Sequence, residues 1–508
     1  MDRRRSQLLA VGVLLLAAAY GLPLPDEPVA DEATHLLATA SLWHDHDLRF
    51  DDRDLARGHA VWPGAGPRGL SLLPDPRGGD PVFATPVVYP VFAAPFYGVL
   101  GPRGLRMVHT ALYLAMLWLA ARLLVVVPRP PPERAPGVGK APPARTRRPP
   151  RRAGLLLGGA FFATGAVVWV LRFQPEVLLM TCSFVAVALW WQVRAGALWG
   201  PRERLPLAFA GFLLAGPAVT DPALALLALP IGIDLVWGRR FRAAAGFTVA
   251  FLAVAALTAG IQYRVAGEWG AGVMGEATVY ADAPFPGEAG ARPVEVGVTA
   301  DHGAHAEAEP EASASPLLVV SRTAWLLAGR HVGLLPYFPF VFYLLALYLA
   351  DLSEMKGRLR HLLALTLLAY LGLAVAGFPG SAVPGAAGAA APGARAVALV
   401  YPLFLFLPLR LRAGRAVALP LLAAGLWALP ALAVALGGAA PRYGLELAAR
   451  GPAYRALPLE LELLADGDLP GYGRFDRFAD GVGMGVWYVP LETFYVNEPN
   501  PEGVWVRG

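Results

Sequence analysis

The sequence predicts an all-α polytopic membrane protein with about eleven spanning helices and a small β-rich extracytoplasmic domain at its C-terminus. Three observations lead there. Hydrophobic residues make up 56% of the 508 and charged residues only 16%, well under the quarter or so that is charged in an ordinary soluble domain. The apolar residues fall in long blocks, as in a chain whose solvent is lipid. Basic residues recur as short clusters between the blocks: Arg3-Arg4-Arg5, Arg145 to Arg152, Arg202/Arg204, Arg239-Arg240, Lys356/Arg358/Arg360 and Arg410/Arg412/Arg415. This is the positive-inside pattern, in which cytoplasmic loops retain Lys and Arg. The formal net charge of +5 is therefore dispersed, whereas a nucleic-acid surface gathers its cations on one face. Nucleic acid is excluded as a partner. A single cysteine, Cys182, lies inside an apolar run and rules out an intramolecular disulfide and a cysteine metal cluster.

The blocks long enough to count as spans are 6–24, 105–127, 153–171, 175–193, 206–219, 222–237, 244–262, 335–350, 361–378, 396–409 and 416–437. The first extends to Leu24 without a small-x-small cleavage site, so it reads as a span and not as a removed leader. The pair around Thr220-Asp221-Pro222 reads as short spans or as one broken, tilted element. With the N-terminus inside, this set puts every basic cluster in the cytoplasm. The loops 25–104, 263–334 and 379–395 and the tail 438–508 then lie outside. Two units follow: a transmembrane domain over 1–437 and an extracytoplasmic domain over 438–508. The latter alternates apolar and polar residues around Val486-Trp487-Tyr488-Val489 and Val504-Trp505-Val506, the period of strands. The Pro- and Arg-rich loop 128–152 reads as a disordered cytoplasmic linker held near anionic lipid. The Ala/Glu/His-rich stretch 288–315 reads as a flexible part of its outer loop, with His302 and His305 solvated.

The residues with most chemistry follow the first span: Asp26-Glu27, then Asp31-Glu32-Ala33-Thr34-His35, then His44-Asp45-His46-Asp47. From Asp31 to Trp43 the apolar spacing is helical, with Asp31 at the N-terminus, where the helix dipole favours a carboxylate. Four consecutive polar residues on a helix point in different directions and do not converge on one ion, so His44 to Asp47 read as a polar helix-ending turn. No metal site is expected. Glu176 follows Pro175 in a short turn at a span's outer end. Asp221 and Asp234 near span ends read as capping or anchoring residues.

The run Asp31-Glu32-Ala33-Thr34-His35-Leu36-Leu37, with Ser41-Leu42 and Asp45-His46-Asp47-Leu48, resembles the first outer loop of the GT-C-fold glycosyltransferases. That superfamily of multi-span enzymes includes protein mannosyltransferases and the aminoarabinose transferase of lipid A. Further stretches resemble one bacterial branch: Tyr89-Pro90 with Pro95, Pro175-Glu176, Gly329 to Pro339, and Gly393-Ala394-Arg395 leading to Tyr401-Pro402. Together they extend over most of the chain. The resemblance implies a GT-C-like fold, a catalytic Asp31 with Glu32, a supporting acid at Glu176, and phosphate contacts from Arg330, His331 and Arg395.

Moving a sugar from a lipid phosphate to a hydroxyl needs a base for the acceptor proton and a cation for the leaving phosphate. Asp31 supplies the first and the arginines the second. The expected donor is a polyprenyl-phosphate sugar, hexosyl or pentosyl. The acceptor is a lipid, a glycan or a protein, and membrane lipids surround the site. No cofactor is required by the sequence, and a divalent cation is left open. The expected location is the cytoplasmic membrane, with catalysis on its outer face. Two other classes are weighed beside this enzyme: a secondary transporter, and a non-catalytic scaffold descended from such an enzyme. Transporters place ionisable groups or broken helices near mid-depth, where these spans carry almost no charge. Convergence of Asp31, Glu176, Arg330 and Arg395 on one cavity supports an enzyme, and scatter supports a scaffold.

Overall fold

The computed structural model describes residues 3–24, 32–63, 70–74, 79–125, 161, 164–194, 203–266, 278–280, 323–324, 326–328, 333–352, 358–375 and 395–408. The expected eleventh span, 416–437, and the tail 438–508 lie outside the described residues. The described chain is mostly helical, and four helices are long and apolar enough to cross a membrane. That is the character of a membrane protein.

In order, the elements are α1 (Arg3–Gly21), α2 (Glu32–His44), α3 (Asp52–Val61), β1 (Leu70–Leu73), β2 (Val82–Phe83), α4 (Val88–Val125) and α5 (Ala166–Val170). There follow α6 (Glu176–Arg194), α7 (Arg204–Thr220), a 3-10 turn (Pro222–Leu227), α8 (Ala228–Trp237), α9 (Phe241–Ala266) and β3 (Thr278–Tyr280). The last are α10 (Leu334–Tyr337), α11 (Pro339–Ala350), α12 (Arg358–Val375), α13 (Arg395–Val400) and a second 3-10 turn (Tyr401–Phe406). The long apolar helices are α4, α6, α9 and α12; shorter apolar helices occupy the expected spans 6–24, 206–219, 222–237, 335–350 and 396–409, while most of 153–171 lies outside the described residues.

Helix α4 is bent. Gly101 sits at φ 67° with Pro102 behind it, a left-handed backbone that glycine adopts without strain. Proline adds a missing N–H at the same point. In a straight helix residues 89 and 109 would be roughly 30 Å apart. Here the Tyr89 hydroxyl is 3.2 Å from His109 Nε2. The first arm therefore folds across the bundle end, and the second arm, about 36 Å from its 24 residues, is long enough to traverse it.

Two cores result. One joins α2, the strands and the bent part of α4 around Trp62, Phe83, Tyr89 and Phe173. The other fills the bundle with Trp190, Tyr337, Phe338, Tyr370 and Tyr401. Strand order is β2-β1-β3, all antiparallel, with Leu72 opposite Phe83 on one side and Ser71 opposite Val279 on the other. Strand β1 comes from the stretch 25–104 and β3 from the stretch 263–334, so the sheet brings a segment of each to the same place.

Among the described residues, the opposite end of the bundle holds Arg194, Arg240, Arg358 and Arg360. Helix α6 spans roughly 28 Å, close to the thickness of a hydrocarbon core, and carries Glu176 at one end and Arg194 at the other. At the second end Arg194 pairs with Asp234 at 2.6 Å, and Arg240 pairs with Glu203 at 3.1 Å. Arg360 lies over Trp191 and Arg358 over Trp237 there. The Trp190 indole N–H also donates to Asp234, at 2.9 Å.

Helices α7 and α9 touch backbone to backbone. A Cβ on Gly211 would lie 2.2 Å from the Phe247 carbonyl oxygen, and a backbone cannot retreat as a side chain can. Gly211→Ala is expected to cost about 1–3 kcal/mol by overpacking, whereas Gly246→Ala, whose Cβ would meet only Ala208 at 3.9 Å, serves as the neutral control. Thermal unfolding of the purified variants reads the difference. Equal midpoints would show that the two helices can part freely.

Candidate functional site

The short connection from Leu171 to Glu176, between α5 and α6, is the hub of the loop end. Its backbone and side chains reach three different parts of the chain. Glu32, fully buried at the first turn of α2, accepts from Phe173 N–H at 3.0 Å through one oxygen and pairs with Arg172 at 3.3 Å through the other. The Arg106 guanidinium, near the start of the second arm of α4, donates to the carbonyls of Leu171 at 3.1 Å and Pro23 at 2.6 Å, and covers the Phe173 ring at 5.2 Å. One arginine thus ties the end of α1, the bend of α4 and the hub together.

At the other side of the hub, buried Glu176 meets Arg395 Nε at 2.7 Å. Arg395 opens α13, and its charge also reaches Asp221. Asp221 caps the 3-10 turn through Ala223 N–H at 3.1 Å and accepts from the Tyr370 hydroxyl at 3.2 Å. The capping role expected from the sequence is present, with a tyrosine from α12 added. Asp234, expected to be an anchor, belongs to the opposite end.

The remaining polar residues of α2 fix it to its surroundings. Thr34 Oγ1 accepts from Ser71 N–H at 2.8 Å, and His35 Nδ1 is 2.8 Å from Thr85 Oγ1 with its ring edge-on to Tyr89. Gln262, in the last turns of α9, accepts from Val87 N–H at 3.0 Å. Trp43 packs so close to Gly98 that a side chain there would require Trp43 to move.

The helix-ending turn at His44 to Asp47 is a structural latch. His46 takes φ 61°, Asp47 accepts from Ser41 at 2.8 Å, and Asp45 receives Arg53 and Arg57. Those arginine hydrogen bonds hold the Asp45 carboxyl below its usual range. Asp54, also bound by Arg57 at 2.7 Å, is pushed up to about 7 by burial. Among the described residues no group of three His, Cys, Asp or Glu is arranged to hold a metal.

Comparison with family models, curated proteins and solved structures gives no match.

Of the residues singled out from the sequence, Glu32, Glu176 and Arg395 are described, and the hub brings all three into one connected network. Asp31, Arg330 and His331 lie outside the described residues. Arg106 and Arg172 were missed. Each is an arginine at the edge of an apolar run, the usual signature of an interfacial anchor. Only their burial, at 5% and 6% exposure, marks them as something else. Chemically, the network holds carboxylates and guanidiniums in near-neutral pairs beside a helix N-terminus. Such an arrangement fixes geometry and keeps fixed charge available in a site shielded from water.

Proposed function

We propose that the protein is a glycosyltransferase, GT-C-like in its bundle, that moves a sugar from a polyprenyl-phosphate donor to an acceptor hydroxyl at the outer face of the cytoplasmic membrane. The observation that supports this reading is the joining of Glu32, Arg172, Glu176 and Arg395 through the single hub 171–176. It lies at the bundle end where two loops share a sheet, away from the arginine clusters. In this reading that end faces outward, because basic loops stay in the cytoplasm.

In this reading each residue takes a separate role. Glu32 has both oxygens engaged and acts as the anchor of α2. Asp31, the residue before it, is the base that takes the acceptor proton. Arg395 is one-fifth exposed at its side chain while Glu176 is buried, so Glu176 orients the guanidinium and the guanidinium meets the donor phosphate. Arginine suits this task because its planar fork can hold two phosphate oxygens and stays charged when partly desolvated. Arg330 and His331 add phosphate contacts. The acceptor is a lipid, a glycan or a protein, and the residues named here call for no cofactor.

One observation favours a second reading. Both buried carboxylates are already matched by guanidiniums, which would also serve a non-catalytic scaffold. A transfer assay on the purified protein with a defined polyprenyl-phosphate sugar separates the two. Turnover by the wild type is expected, with a partial defect for Arg395→Lys and a far larger one for Arg395→Ala, in both kcat and KM. A fixed cation stabilises the departing phosphate more than the bound diester, so turnover falls as well as affinity. Wild-type activity unaffected by Arg395→Ala and Arg330→Ala would make these residues anchors. Absence of transfer with every donor tested would leave the scaffold.

A further inference from the structure

At the arginine end, α8 and α9 leave an apolar groove of about 570 Å³, lined by Leu229, Gly232, Val236, Trp237, Phe247 and Phe251 among others. That volume is in the range of small-molecule pockets, and its walls are aliphatic and aromatic. Gly232 leaves it open, since a Cβ there would meet nothing within 4 Å. The mouth is different in kind. Helix α8 ends at Trp237, an exposed indole of the sort that settles at the membrane–water boundary. Arg358 holds its guanidinium 5.9 Å above that ring, and Arg239 follows two residues on, with its backbone at φ 53°. Of the neighbouring arginines, Arg194 is compensated by Asp234 and Arg240 by Glu203, while Arg242 in the first turn of α9 is exposed, like Arg239 and Arg358. Arg239 and Arg358 have no carboxylate partner among the described residues.

We infer that this groove binds one anionic phospholipid of the surrounding bilayer, an acyl chain along α8 and α9 and the phosphate between Arg239 and Arg358. The apolar length and the two uncompensated cations call for a single ligand with a long tail and a negative head. A neutral lipid fills the groove but gains nothing from the cations. A helix of a second copy buries the walls but leaves two guanidiniums unmatched. Basic recesses between spanning helices recognise anionic head groups by this combination. The site lies at the end of the bundle opposite the hub and is independent of the transferase reading.

The test is native mass spectrometry of the full-length protein in detergent, with phosphatidylglycerol and phosphatidylcholine of matched chains added together. Wild type is expected to retain phosphatidylglycerol preferentially. Each arginine contributes roughly fivefold, so Arg239→Ala with Arg358→Ala should weaken its retention about twenty-five-fold, down to the level of phosphatidylcholine. Gly232→Leu, which fills open space without a clash, should abolish retention of both lipids at this site while thermal stability stays unchanged. Equal retention of the two lipids by wild type, or selectivity that survives the double substitution, overturns the proposal. So does efficient dimer formation through Gly232→Cys in lipid nanodiscs, which would assign the groove to a second copy.

Discussion

Asp31→Asn is expected to lower sugar transfer by about 10²- to 10⁴-fold, the range for loss of a general base, while the amount of folded protein hardly changes. The substitution keeps size and polarity and removes the ability to accept a proton. Its neighbour makes the comparison sharp. Glu32 is fully buried with both oxygens engaged, so the adjacent acids should fail in different ways, one in turnover and the other in folding. Asp26→Asn, in the same loop but before the motif, should be mild in both respects. The measurement is single-turnover transfer by purified protein, paired with its thermal midpoint. Equal behaviour of Asp31→Asn and Asp26→Asn would remove Asp31 from the mechanism.

Glu32→Ala should produce the largest loss of stability of any single change at the hub. It strands the Arg172 guanidinium, 7% exposed at its side chain, and the Phe173 N–H. Breaking a buried pair by removing one partner typically costs about 3–5 kcal/mol, because the remaining charge is left uncompensated. Replacing both residues by methionine should be far milder, since two apolar side chains of similar volume leave no charge behind. A double-mutant cycle built on thermal or denaturant unfolding should therefore give a large favourable coupling. If Glu32→Ala costs less than about 1 kcal/mol, the level of an exposed pair, the hub is hydrated and the anchoring role assigned to Glu32 is lost.

Parts of this architecture were legible in the sequence for identifiable reasons. Helix α2 was expected from Asp31 to Trp43 and is described over Glu32–His44, because its apolar residues repeat at helical spacing. The loops 25–104 and 263–334 were expected on one side from the alternation of basic clusters, and they share a sheet. The sheet itself was not foreseen. Its strands are two to four residues long, too short for a two-residue alternation to register, and its third strand comes from the other loop. At the hub, Glu32, Glu176 and Arg395 were singled out individually, but who pairs with whom is a property of the bundle. Glu32 pairs with an arginine 140 residues away. Arg106 and Arg172 were invisible for a different reason: an arginine beside an apolar run looks the same in sequence whether it snorkels to the interface or turns inward.

The pairing of Glu176 with Arg395 also has a meaning in time. A bundle inserts as it is synthesised, and Glu176 enters at the start of α6 while its counter-charge is still untranslated. At about 5–20 residues per second, the intervening stretch of about 220 residues takes roughly 10–45 seconds to make. For that interval α6, the most buried of the long apolar helices, carries a carboxylate with no guanidinium to meet it. The tyrosine contact between α4 and the second 3-10 turn, Tyr113 to Tyr401 at 2.7 Å across 288 residues, forms just as late. The hub is therefore finished by α13, the last α-helix among the described residues. A chain halted before Arg395 would hold an unmatched buried acid, a ready mark by which quality control could distinguish an incomplete protein from a finished one.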